Sequence, residues 1–135
     1  MLKTSCINPE IMKTLSLCGH GDKILIADGN YPLDSKTGDS KKVYLGVASG
    51  IPTVTQVLEA LLGGINVEKA EVMEPGDGSR PEIFSEFEKL LPGMTLEGID
   101  RFEFYDACSE PAVRLSISTG EKRIFANILL TIGVA

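Results

Sequence analysis

Residues 23–28 read KILIAD, four apolar side chains in a row closed by a carboxylate. A run this short and rich in isoleucine has the length of a strand. Without polar alternation, such a strand must bury both faces. It is bounded by Gly19-His20-Gly21-Asp22 on one side and Asn30-Tyr31-Pro32 on the other, both turn-forming. The elements around it therefore have to cover two faces of a sheet.

They alternate in type. Asn8-Pro9-Glu10 has the form of a helix start: a capping side chain, a proline suited to the first helical position and an acidic first turn. Ile11, Met12, Leu15 and Cys18 follow at helical spacing, with Gly19 as the stop. The polar stretch from Asn30 to Lys42 reads as a loop, and Val43 to Val47 as a strand. Thr53 and Gln56 form a capping-box pattern ahead of Val57, Leu58, Leu61 and Leu62. Val67 to Met73 is a strand of mixed polarity. Pro81 opens a helix carrying Ile83, Phe84, Phe87 and Leu90, and Asp100 with Glu103 opens another from Arg101 to about Ser109. Val113, Leu115 and Ile117 alternate with polar residues, as in a half-exposed strand. Asn127 to Ile132 is a last apolar strand. Interleaved helices and strands predict one three-layer α/β/α domain over residues 1–135, with a largely parallel sheet.

At 135 residues with 43% apolar composition, the chain is long enough to build its own core. Its net charge of −6 and lack of any basic block argue against nucleic acid and anionic membranes as partners. No apolar stretch approaches the roughly 20 residues that span a bilayer. Cys6, Cys18 and Cys108 are odd in number and lack CxxC spacing, so neither a disulfide framework nor a zinc site is expected. With no signal-peptide pattern at the N-terminus, these features lead us to expect a cytoplasmic protein.

His20 is the only histidine. Histidine is the one side chain type whose unperturbed pKa, about 6.5, suits proton transfer in both directions at neutral pH. The competing reading is a surface turn histidine bonded to a neighbour. Asp28 closes a buried strand at the end where ligands of α/β sheets gather. The competing reading there is a cap for the following turn. A six-residue strand spans roughly 20 Å, which sets His20 and Asp28 at opposite ends of it. They meet only if the loop after Asp28 folds back, or if one copy of the chain supplies the histidine and another the aspartate. We favour the second. Arg101 and Tyr105, four apart, share a helix face suited to a sugar or to solvent. No glycine-rich phosphate loop and no GxSxG elbow occurs, and one histidine gives a metal site or a Ser-His-Asp triad no support.

Three segments together resemble the D-ribose pyranase / L-fucose mutarotase family. They are the opening MLKTSCINPEIMKTLSLCGHGDKILIADGNYP, the segment RFEFYDA from Arg101 to Ala107, and the closing STGEKRIFANILLTIGV. RFEFYDA is closer to the L-fucose mutarotase branch. The resemblance implies a ring-like homodecamer with sites between subunits, acting on a monosaccharide of fucose or ribose type without metal or other cofactor. It implies that His20 is the proton donor, and that Asp28, Arg101 and the triplet Phe125-Ala126-Asn127 bind the sugar. Phe125 stands where the family usually has tyrosine, so one hydroxyl is missing from the pattern. The expected activity is aldose anomer interconversion by ring opening and reclosure. The alternatives are pyranose–furanose exchange on ribose and sugar binding without catalysis.

Overall fold

The computed structural model describes residues 1–135. In chain order its elements are α1 (Pro9–Leu17), β1 (Lys23–Ala27), β2 (Lys41–Tyr44), α2 (Val54–Leu62), β3 (Val67–Met73), α3 (Ile83–Leu90), β4 (Leu96–Ile99), α4 (Arg101–Cys108), β5 (Val113–Ser118) and β6 (Ile128–Ile132). The strands form one sheet in the order β2-β5-β1-β6-β3-β4. β1 pairs parallel with β5, β5 with β2, and β3 with β4, whereas β6 runs antiparallel to both β1 and β3. Five strands therefore point one way and β6 alone points back, which is the largely parallel sheet expected.

Local chemistry accounts for three of the four helix starts; α3 begins after Glu82 with no side-chain cap. The Asn8 side chain accepts from the Ile11 N–H, and Thr53 and Gln56 form a complete capping box at α2. Asp100 accepts from the Glu103 N–H at α4. Each satisfies backbone donors that a helix leaves unpaired in its first turn.

The two faces of the sheet are covered unequally. α1, α2 and α3 pack on one, through Ile11, Leu58, Leu61, Phe84 and Phe87 against Ile24, Ile26, Leu115, Ile128 and Leu130. α4 covers the other with Phe104 and Cys108, joined by Tyr31 and Leu33 from the segment after β1, against Leu25, Val113 and Leu129. β1 is buried on both faces, as its composition requires.

Three details depart from the sequence reading. β2 occupies 41–44 rather than 43–47. β5 is not half-exposed: Ser116 is fully buried, and its hydroxyl is 2.7 Å from that of Ser40, which the 31–40 segment carries over this face. β4 escaped prediction altogether, because four residues with a glycine inside carry no strand periodicity. It forms by parallel pairing of 96–99 with 70–73 at the sheet edge.

Candidate functional site

The carboxyl ends of the parallel strands converge on one cavity of about 200 Å³, lined by Asp28, Asn30, Tyr31, Met73, Arg101, Tyr105, Ile124, Phe125 and Asn127. Asp28 follows β1, Met73 ends β3, Arg101 begins the helix after β4, and Asn127 precedes β6. Such convergence is where open α/β sheets place ligands.

Asp28 is the pivot. It is 2% exposed, and its Oδ1 accepts from the Asn30 and Tyr31 N–H groups at 2.9 and 3.0 Å. Its Oδ2 accepts from the Ala126 N–H at 3.1 Å, and its own N–H donates to Asn127 Oδ1 at 2.8 Å. Asp28 caps the following turn, and the same residue lines the cavity. A carboxylate has about four acceptor positions, so three N–H bonds leave room for a ligand hydroxyl. Burial is the strongest influence on its acidity and raises the pKa above the ordinary carboxylate range. The N–H groups of Asn30, Ala126 and Tyr31, and the Asn127 amide, pull against it.

Arg101 supplies charge. Its Nε donates to Tyr105 Oη at 3.0 Å, and its guanidinium lies 5.6 Å from the ring centroids of both Phe102 and Tyr105. The other guanidinium N–H groups have no protein acceptor and stand ready as donors. Tyr105 meets Tyr31 edge to face at 5.4 Å. The Tyr31 hydroxyl is turned away, donating to the Lys36 carbonyl, and burial drives its pKa far above the ordinary phenol value. Tyr31 is therefore a wall of the cavity, not a source of protons.

Phe125 carries the one left-handed backbone among non-glycine residues, with φ of 57°. For a bulky side chain this conformation costs on the order of 1–3 kcal/mol and persists only where its surroundings fix it. Ala126 is fully buried and is not among the cavity-lining residues; its contribution is the N–H held on Asp28.

His20 stands elsewhere. It lies before β1, at the opposite end from Asp28, beside a separate cleft of about 480 Å³ between the 62–66 turn and the C-terminal residues. Its side chain is 57% exposed, and its Nε2 is 2.9 Å from Glu68 Oε2. One chain thus brings Asp28, Arg101, Phe125 and Asn127 together and leaves the histidine at the far end. Asn30, Tyr31, Met73 and Ile124 join the cavity without having been singled out in the sequence; of these, only Asn30 and Tyr31 had a local signal, two and three residues past Asp28. No group of three or more His, Cys, Asp or Glu side chains is placed to hold a metal ion. No helix is long and apolar enough to cross a membrane.

Comparison with known proteins bears on this geometry. The family model described as the RbsD / FucU transport protein family matches residues 1–135. The chain is 31% identical over 134 residues to the D-ribose pyranase of Lactiplantibacillus plantarum, and 32% identical over 134 residues to that of Bacillus cytotoxicus. Each alignment covers 99% of this chain and 98% of the relative. Among solved structures, Bacillus subtilis RbsD complexed with D-ribose aligns with a TM-score of 0.87 at 28% identity, over 100% of this chain and 99% of the other. The fucose mutarotase of Streptococcus pneumoniae in complex with L-fucose aligns with a TM-score of 0.86 over the same shares. At 24% identity, that likeness speaks for the fold alone.

Proposed function

This chain belongs to the RbsD / FucU transport protein family, and we propose that it opens and recloses the ring of a monosaccharide, interconverting anomers of an aldose such as L-fucose. The observation that carries this reading is the cavity at the strand ends. It sets a buried carboxylate with acceptor capacity, a guanidinium with free donors and an amide alongside the aromatic side chains of Tyr105 and Phe125. Alternating hydroxyls and apolar faces of a sugar ring ask for such a mixture.

The chemistry needs only acid–base groups. A base takes the proton from the anomeric hydroxyl while an acid protonates the ring oxygen. The ring opens to the aldehyde, the carbonyl turns, and the same groups act in reverse. Asp28, Asn127 and Arg101 hold the sugar hydroxyls in this scheme, with the Ala126 N–H keeping Asp28 aimed. His20 is the proton donor, brought to the cavity by a neighbouring copy in a ring-shaped assembly, which we take to be a homodecamer. The exposed side chains of Phe102 and Ile124, 70% and 67% accessible beside the cavity, suit a surface that another copy covers. Three unpaired thiols fit a cytoplasmic place of work.

A second reading is pyranose–furanose exchange on D-ribose, favoured by the names of the curated relatives. A third is sugar binding without turnover, motivated by Phe125 in place of a tyrosine. Saturation-transfer NMR on L-fucose and D-ribose separates the three. We expect faster anomer exchange of L-fucose with the protein present, reduced about 10²–10⁴-fold in His20→Ala. Acceleration of ribose ring exchange alone selects the second reading. Binding of either sugar with no acceleration selects the third and sinks the proposal.

A further inference from the structure

We infer that Glu121 and Arg123, which lie outside the sugar cavity, form a positioning clamp that holds Phe125, Ala126 and Asn127 in their working geometry. The inference rests on the sugar-site reading for its kinetic arm only.

Residues 119–127 join β5 to β6, and these strands flank β1 on either side. The connection therefore arches over the end of β1, above Asp28. Its near end is tied down: the Thr119 N–H and hydroxyl both donate to the Ala27 carbonyl, at 3.2 and 2.8 Å, and the Gly29 N–H donates to the Glu121 carbonyl at 2.9 Å. Gly120 fits against the 48–51 turn so closely that a Cβ there would strike the Ala48 and Ile51 carbonyls. The far end is tied by the Ala126–Asp28 and Asp28–Asn127 bonds.

The middle of the arch has one anchor. Glu121 is 4% exposed, and its carboxylate takes Arg123 in a fork, Nε on Oε1 at 3.0 Å and Nη2 on Oε2 at 3.1 Å. The same carboxylate accepts from the Arg123 N–H and from the Val54 N–H at the start of α2. Arg123 Nη1 reaches on to Glu86 of α3. A surface loop has no packing need for a guanidinium gripped by two carboxylates from separate elements. Directly after Arg123 come Ile124 and the left-handed Phe125. That backbone is fixed from both sides, by the fork upstream and by Asp28 downstream. With the fork gone, the 124–126 segment is free to relax to ordinary φ, which withdraws the Ala126 N–H from Asp28 and shifts Asn127.

The test compares wild type with Arg123→Ala, and with Arg123→Lys should the alanine variant not fold. Hydrogen–deuterium exchange of the peptide spanning 122–128 is read alongside urea midpoint and anomer-exchange rates for L-fucose and D-ribose. A clamp predicts faster amide exchange confined to this peptide, with β3 and α2 protected as before. It also predicts affinity for the accelerated sugar lowered about 10–100-fold, because Asn127 and Asp28, the groups it keeps in place, are the ones that hold the sugar hydroxyls. Unchanged exchange in 122–128, or a rise spread evenly over the chain, overturns the inference. If wild type accelerates neither sugar, the proposed activity fails, while the local exchange result still decides the clamp.

Discussion

Two buried carboxylates near the same loop respond to pH in opposite senses. For Glu121, burial would raise the pKa, but the hydrogen bonds and charge of Arg123, with the Val54 N–H, outweigh it and hold it below the ordinary range. The folded state then binds its proton less readily than the unfolded chain. Glu121 thus contributes stability above its unfolded pKa of about 4.3, lost as pH falls through the depressed folded value. Asp28, with its folded pKa raised, does the reverse: its contribution is present below about 3.9 and is lost as pH rises through the folded value. Urea midpoints followed from pH 3 to pH 6 should therefore show a shallower acid loss in Glu121→Gln than in wild type, and a steeper one in Asp28→Asn. Parallel profiles for all three would mean that neither group is shifted as described. Of these residues, Asp28 was legible from the sequence, because a carboxylate ending an apolar strand must be satisfied somewhere. Glu121 was visible only within a motif: Arg123 is two residues on, but the Val54 N–H it accepts and the Glu86 that shares Arg123 lie far along the chain.

Helices were read more accurately than strands, and the reason is the range of the forces. A cap is a contact over three residues, so Asn8, Thr53 and Asp100 announce themselves wherever the chain goes. α2 shows how much a start can be reinforced. Thr53 accepts from Gln56, Gln56 returns the bond, and the Glu121 carboxylate accepts from Val54 at the positive end of the helix dipole. Thr53→Ala should cost about 1 kcal/mol, read as a lower urea midpoint with an unchanged slope. A cost near zero would mean that Glu121 alone suffices. Strands take their burial from partners that the local sequence does not name. Ser116 looks like the polar half of an alternating strand until Ser40 closes over it, and β4 exists only because β3 offers it an edge. The convergence of Arg101 with Asp28 and Asn127 belongs with these. Spacing showed that Arg101 and Tyr105 share a face, but the sheet order β1-β6-β3-β4 decides which strand ends they meet.

At the scale of the whole molecule, one strand forces the issue of assembly. β1 separates His20 from Asp28, and no loop folds the histidine back: it sits with Glu68, beside a cleft of its own. If both residues serve one sugar, two chains must share each site. A shared site behaves in a way that a site within one chain cannot imitate. His20→Ala and Asn127→Ala should each abolish most of the exchange activity when prepared alone. Unfolded together in equal amounts and refolded, they form mixed assemblies. In a site shared between copies, the histidine would come from one copy and the amide from the next. Each is intact half the time, so about a quarter of the sites recover both. Activity near a quarter of wild type, from two inactive proteins, is the expected result. Mixing after separate refolding should restore nothing unless subunits exchange, and sedimentation should show the mixed species at the size of the wild-type assembly. If the co-refolded mixture stays as inactive as its components, or if the wild-type chain sediments as a monomer, His20 does not reach the cavity of a neighbour. The proton donor must then be sought among the residues around Asp28 itself.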